Sequence, residues 1–389
     1  MRLKPVALCD TDEQRLRDAA EETGAEAYTD YDKFLEHDTD AVIVTNSFHE
    51  HAPYAIQALN AGKHVLSETA ACFTLAEGVE LIEAVEKTGR IYMFAENYQY
   101  NLFSQEITRV FQSGKLGQFM YGEAEYVHPA DADFWLERSP GVDHWRNWIP
   151  ATYYCTHAMA PIMTATDTMP VKVNGFVMPH AADDPVAARS VWRNDAASVI
   201  VVRMDNGAVA KLLQYRLSGY NVWVRIHGSR GTIENLRHGN QMMVHLRREQ
   251  FHERKTDPTE QIYLPRFAKH HEQAIQTAHA GSDFFVNYHF AEAIRKNEQP
   301  YLDVYRGVAM SIIGPLAYRS ALDDSSPLEV PDLRKASVRR RYANDHWRPD
   351  PACRKKGDPW PSVRGEIKPT SAQLARARKA WGRVGYTDE

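Results

Sequence analysis

Only four cysteines occur in the 389 residues, Cys9, Cys72, Cys155 and Cys353, and no two of them form a Cys-x-x-Cys pair. Neither a disulfide framework nor a structural zinc site is therefore expected. No apolar run approaches the roughly 20 residues that span a bilayer, and MRLKPVALCD lacks the long apolar stretch of a signal peptide. The expected setting is cytoplasmic, with no membrane partner. An excess of one charge is missing too: 46 basic against 51 acidic residues leave a net of -5, so no global field recruits nucleic acid. There is no His-Glu-x-x-His. In His49-Glu50-His51 the two imidazoles stand at i and i+2, which do not face one another on a helix, so no metal is expected. Gly-x-Gly-x-x-Gly is also absent.

What is present has a clear rhythm. Over the first hundred residues short β-branched runs alternate with amphipathic stretches, as in a parallel sheet covered by helices. PVALCD, AVIVT (41–45), HVLSE (64–68) and IYMFAEN (91–97) read as four strands of a doubly wound sheet. Thr11-x-x-Gln14 and Thr74-x-x-Glu77 are capping boxes for the helices that follow, and Gly24, Gly62 and Gly89 are placed to end helices. A helix is expected near 104–113. Longer strands follow at 119–127, 171–178, 197–204, 208–217 and 221–228, with Asp205-Asn206-Gly207 as a hairpin turn. They predict an open, mostly antiparallel sheet covered by helices near 155–165, 266–278, 282–296 and 303–321. Three regions result: 1–100, an α/β region; 101–330, an α+β region; and 331–389, with 15 basic and 7 acidic residues. That last region reads as a solvated extension wrapping its own domain or a partner, with a short helix near 372–381; polyanion binding needs a defined basic face.

Parallel α/β sheets bind ligands at the carboxyl ends of their strands. Here Asp10, then Asn46 and Ser47, then Glu68, then Glu96 and Asn97 follow four successive strands, and a binding crevice is expected there. Asp10 can accept both ribose hydroxyls of a dinucleotide, or it can serve as a helix cap.

IVTNSFHEHAPYAIQALNAGKHVLSE, FAENYQYN, the His157 region, GSRGTIE (228–234) and HAGSDFFVNYHFAEAIRKNEQPYLDVYRGVAMS (279–311) together resemble the Gfo/Idh/MocA family over most of residues 1–330. The resemblance implies a nucleotide-binding region, an open-sheet region for substrate and homo-oligomer contacts (dimer or tetramer), and NAD(P)-dependent hydride chemistry on sugars or cyclitols. NAD is expected because Asp10 repels a 2′-phosphate, while Thr11 and Arg15 leave tolerance for NADP. Asn46, Ser47, His51, Glu68 and Asn97 complete the expected cofactor contacts.

The family begins with the glycine motif that this chain lacks, so by comparison roughly 25–30 residues, including a central strand, lie upstream or are absent. Where most relatives have Glu-Lys-Pro, this chain has Glu68-Thr69-Ala70. Threonine is neither a cation nor a base near neutral pH. Tyr154-Cys155-Thr156-His157, with His279 and Asp283, locally resembles the branch of NAD-dependent glycosidases that also lack the lysine.

Oxidising a carbinol needs a base, and imidazole suits that task at neutral pH, so His157 is the first candidate. Tyr154 as phenolate, or His279, can remove a proton next to the resulting ketone. Tyr98 and Asp283 are expected at the substrate. In HWRNW (144–148), Arg146 flanked by Trp145 offers a surface for a pyranose ring, as does Trp135; an anchored aromatic loop is the alternative. Three functions stay open: a sugar oxidoreductase, an NAD-recycling glycosidase or lyase, and a non-catalytic relative or fragment.

Overall fold

The computed structural model describes residues 3–129, 131–219, 222–246 and 259–387. Short parallel strands alternate with helices first: β1 (Ala7–Cys9), α1 (Glu13–Thr23), β2 (Glu26–Tyr28), α2 (Tyr31–Glu36), β3 (Ala41–Val44), α3 (His51–Asn60), β4 (His64–Ser67), α4 (Leu75–Thr88) and β5 (Tyr92–Phe94). β1 pairs with β2, and β3–β4–β5 form a separate three-stranded sheet, all in parallel register. The expected parallel region is thus present, but in two pieces. β2 and α2 were not anticipated, because Glu-Ala-Tyr is too short and too polar to show a period. Asp12, and not Thr11, caps α1: its carboxylate accepts from Gln14 N and Arg15 N, and Gly24 closes the helix at φ 71°. The Thr74–Glu77 capping box forms as expected.

After α5 (Leu102–Gln112) comes the large sheet, built from β6 (Phe119–Val127), β7 (Pro170–Met178), β8 (Ala197–Met204), β9 (Val209–Tyr215), β10 (Val222–Gly228), β11 (Gly231–Asn235), β12 (Met242–Leu246), β13 (Glu260–Tyr263) and β14 (Leu328–Glu329). Asn221, the expected start of β10, lies outside the described residues. The order is β13-β12-β11-β10-β6-β9-β8-β7-β14, and β6–β9 is its one parallel pair. One face carries α5, α7 (Thr156–Thr166) and α11 (Ile313–Leu322). α11 lies so close to β7 that a Cβ at Gly175 would fall 2.0 Å from the carbonyl oxygen of Ala317, so only glycine fits.

Two expected helices are interrupted. The 303–321 segment divides at Ile312 into α10 (Val304–Ser311) and α11, because Pro315 cannot donate the hydrogen bond that would join them. Within 266–278 the α-helical part is α8 (His271–Ala274); His270, at φ 55°, precedes it, and His279 and Ala280 are also left-handed before α9 (Ser282–Lys296). KHHEQAIQTAHAG lacks the apolar period that would hold a longer helix.

Residues 331–387 pack on their own chain through α12 (Ala336–Tyr342) and α13 (Ser371–Arg383). α13 lies against α6 (Ala132–Arg138), and Trp381 is fully buried with Leu136 and Val191. The basic residues find acidic partners: Arg339 with Glu86 at 2.7 Å, Arg348 with Asp350 at 2.8 Å and Arg383 with Glu137 at 2.8 Å. Tyr318 donates to Trp360 O at 2.6 Å and Ser362 to Asp195 at 2.7 Å. This segment is therefore part of the folded body. Trp381→Ala is expected to cost about 3–5 kcal/mol in urea unfolding; a loss below about 0.5 kcal/mol, typical of exposed sites, would refute that packing.

Candidate active site

A cleft of about 1970 Å³ runs between the two parallel sheets and toward the large sheet. Asp10, Asn46, Ser47 and Glu68, at the ends of β1, β3 and β4, line one side, and Trp145, Arg146 and Tyr154 line it from the second half of the chain. Both facing strands contribute their main chains, Ala7–Asp10 on one wall and Ala41–Ser47 on the other. Asp10 is half-buried and holds Asp12 N at 2.9 Å, and Asn46 donates to Glu50 at 3.3 Å. Asn97 is half-buried, and its side-chain oxygen has no protein partner.

His51 corrects an expectation. It borders the cleft, but Nδ1 lies 3.1 Å from the carbonyl of Ala70 and Nε2 3.1 Å from that of Asn46. The neutral ring has one N–H, which donates to one of these two carbonyls, and in that position His51 braces the Asn46 loop. Burial lowers it to about 4, against the opposing pull of the two carbonyls.

Next to the cleft, α7 presents His157. Its Nδ1 donates to Glu96 at 2.6 Å, and Glu96, just past β5, is fully buried. Glu96 also accepts from Tyr98 N at 3.0 Å and from the Thr69 hydroxyl at 3.4 Å. The Nε2 of His157 has no hydrogen-bond partner among the described residues and is not sealed from solvent. The rings of Tyr98, Tyr126 and Tyr154 surround the imidazole at centroid distances of 4.3, 4.6 and 5.0 Å. Three of the expected residues, His157, Tyr154 and Tyr98, thus converge. Sequence reasoning marked Glu96 only as a polar strand end, and it missed Tyr126, which alternation in β6 places on the covered face like any core residue.

Burial pushes the Tyr154 hydroxyl well up, more than the nearby Arg146 guanidinium pulls it down. The expected phenolate is disfavoured, and Tyr154 stays a hydroxyl donor. Glu68 is also raised, chiefly by desolvation although it opens to the cleft; Thr69 N at 3.3 Å opposes this, and the carboxylates of Glu96 and Asp283 add to it. Asp283 therefore lies within electrostatic reach of Glu68. His279 is exposed and donates Nδ1–H to Asp283 at 3.0 Å, outside the tyrosine ring around His157.

Trp145 is buried, stacks on Phe48 at 5.3 Å and carries the Arg146 guanidinium 4.1 Å above its ring, so it holds Arg146 at the cleft. Trp135 cannot offer a surface to a sugar, because it is buried against Trp192 and Arg216. Among the described residues, no group of three or more His, Cys, Asp or Glu could hold a metal ion. No described helix is long and apolar enough to cross a membrane.

Parallel strands that deliver polar groups into a cleft facing an open sheet define a two-part oxidoreductase fold. Residues 1–96 match the oxidoreductase family with an NAD-binding Rossmann fold, and residues 161–340 match the glycosyl hydrolase 109 C-terminal domain. The chain thus joins a Rossmann region similar to the Gfo/Idh/MocA oxidoreductases to a second region similar to glycosyl hydrolase family 109. A glycosyl hydrolase family 109 protein of Solibacter usitatus is 25% identical over 325 residues, spanning 78% of this chain and 73% of its own. Levoglucosan dehydrogenase, solved in complex with NADH and levoglucosan, shares the fold with TM-score 0.71 at 20% identity over 84% of this chain and 90% of that one. Myo-inositol 2-dehydrogenase from Lactobacillus plantarum gives 0.62 at 19%, over 84% and 92%.

His51 makes the site's scaffold pH-sensitive. Histidine titrates near 6.5 when unfolded and here near 4, so between those values the unfolded chain holds more protons. Stability is expected to fall by on the order of 3 kcal/mol as pH drops from 6.5 toward 4. His51→Gln should be less stable at pH 7 yet lose less on acidification; parallel urea-unfolding curves for the two proteins at pH 7 and 4.5 would contradict this assignment.

Proposed function

We propose that the protein is an NAD-dependent oxidoreductase that removes hydride from a ring carbinol of a sugar or sugar derivative, with His157 as base. The observation that carries this is the 2.6 Å bond between His157 and the fully buried Glu96, which leaves Nε2 available. Glu96 fixes the tautomer and favours the imidazolium formed when the hydroxyl proton arrives.

The chain fits a dinucleotide. The cleft is larger than the about 300–1,000 Å³ of ordinary small-molecule sites, and it meets the carboxyl ends of β1, β3 and β4. Asp10, Asn46, Ser47, Glu68 and Asn97 are the residues to hold it, with His51 acting through the loop it braces. When bound, the nicotinamide supplies the hydride acceptor. Asp10 favours NAD over NADP. Tyr98, Trp145, Arg146 and Asp283 are assigned to the sugar, with His279 orienting Asp283.

Thr69, in place of the usual lysine, favours a second reading, in which the hydride is returned after elimination of a leaving group. This NAD-recycling glycosidase or lyase reading is also supported by the relatives named glycosyl hydrolase family 109. Tyr154 and Tyr126, held as hydroxyls by burial, then serve as proton donors.

We further assign residues 1–100 to the cofactor, 101–330 to substrate and subunit contacts, and 331–389 to bracing both, in a cytoplasmic homo-oligomer. The uncovered face of the large sheet supports that last assignment, with Phe176, Val199 and Leu213 in one cross-strand row.

Mixing the protein with NAD+ and a panel of sugars and p-nitrophenyl glycosides, and following NADH and p-nitrophenol together, separates the readings. Stoichiometric NADH means net oxidation; p-nitrophenol without NADH means recycling. His157→Ala should lower either rate by about 100- to 10,000-fold with NAD+ binding retained. Unchanged turnover in that variant would remove His157 from catalysis.

A further inference from the structure

At the Trp145 end of the cleft the charges do not balance. Arg146 and Arg138 both line it, and neither has a carboxylate within ion-pair distance among the described residues. Arg146 rests on Trp145, and Arg138 lies 5.5 Å from the centroid of Phe134. Behind them Arg216 donates to the carbonyl of Arg146 and to Asn194 at 2.7 Å. It also lies over the rings of Trp192 at 4.0 Å, Tyr215 at 4.7 Å and Trp135 at 5.2 Å and donates to the Tyr215 hydroxyl at 3.4 Å; among the described residues it has no carboxylate partner, and its Nε is buried without a hydrogen-bond partner.

The acids of this segment are engaged elsewhere, Glu137 by Arg383 and Asp143 by Arg193, each at 2.8 Å. Arg146 and Arg216 are half-buried and Arg138 is exposed; elsewhere the half-buried Arg319 is paired with Asp345 and the buried Arg339 with Glu86. Uncompensated guanidinium charge in a recess is unfavourable by itself and focuses a positive potential on the cleft. His144, which also lines this end, adds no charge near neutral pH because burial and Arg146 lower it to about 3.

Resting on the sugar-oxidoreductase reading, we propose that Arg146 and Arg138 form a subsite for an anionic oxygen group, a carboxylate, sulfate or phosphate ester, carried by the sugar substrate. Guanidinium presents parallel N–H donors that match such groups, and Trp145 beneath it holds the plane in place for the adjoining ring. Tyr154 connects this wall to the base, with its ring 6.1 Å from Trp145 and 5.0 Å from His157.

The cofactor's diphosphate has the same chemistry, so the test must tell the two sources apart. Wild-type protein, Arg146→Gln and Arg138→Gln are titrated by calorimetry with NAD+, and then, with NADH present, with the methyl glycoside of glucuronic acid, its carboxylate free, and with methyl glucoside. The expected result is about tenfold or greater preference of wild type for the glucuronate. Both variants should lose that preference, with NAD+ affinity unchanged within about twofold. Loss of NAD+ affinity in the variants, with no preference between the two glycosides, assigns the cations to the cofactor and overturns the proposal. Should Arg146→Gln fail to fold, Arg138→Gln and the wild type still decide: glucuronate binding must weaken with added sodium chloride while glucoside binding does not, and equal salt dependence refutes the subsite. A protein that binds no NAD+ at all would count against the oxidoreductase reading, yet the contrast between the glycosides would remain measurable.

Discussion

Everything in the site depends on a carboxylate with no access to water. Glu96 is fully buried, and a buried anion persists only where donors surround it. Its three donors come from three places: His157 on α7, the Tyr98 main chain just past β5, and the Thr69 hydroxyl just past β4. Satisfying that one charge fixes α7, and the large sheet beneath it, relative to the ends of the parallel strands. The same bond leaves only Nε2 of His157 available and keeps the ring within its frame of tyrosines. Orientation of the His157 ring and assembly of the two halves are therefore one constraint.

The sequence made the local part of this arrangement legible. Strand ends carrying Asp10, Asn46, Ser47 and Glu68 could be recognised from β-branched runs followed by polar residues, and the structure gathers all four around one cleft. Glu96 was visible in the same way, but its partner is 61 residues away, and spacing within a strand says nothing about a contact that distant. Tyr126 was hidden for a different reason: an inward residue of a half-covered strand looks like core whether it packs on aliphatic side chains or on an imidazole. His51 misled because its polar environment consists of carbonyls from two separate loops. The missed elements β2, β13 and β14 have four residues or fewer, too short for alternation to establish, and Asp12 displaced Thr11 as a cap because its carboxylate reaches two amides at once.

The carboxy-terminal segment shows the limit of reading charge along a chain. Fifteen basic residues in 59 suggest a solvated extension, yet acids scattered through the rest of the molecule meet many of them: Glu86 on α4, Glu137 on α6 and Asp133 beside it. The fully buried indole of Trp381 is the segment's largest apolar anchor, with Leu333, Trp347 and Val363 packed elsewhere on the body. One buried tryptophan in a basic stretch carries more information about docking than the net charge does, since ion pairs at partly exposed positions contribute little each and burial of an aromatic contributes several kcal/mol.

Replacing the usual lysine by Thr69 changes the protons the site can hold. An ammonium there would stabilise the ionised forms of both Glu68 and Glu96 and could itself take the substrate's proton. Threonine instead links the two acids, its amide to Glu68 and its hydroxyl to Glu96, and adds no charge. Burial raises the Glu68 carboxyl more than the Thr69 amide and His157 lower it, while Glu96 keeps His157. Beside that pair stand two neutral donors, the hydroxyls of Tyr154 and Tyr126. Net oxidation requires only the base. In the hydrolytic recycling reading, water adds where the group has left, the neighbouring carbon takes back a proton, and the carbonyl oxygen is protonated as the hydride returns, which needs neutral donors close to His157. On this arithmetic of protons, the loss of the lysine favours the recycling reaction within a fold shared with dehydrogenases.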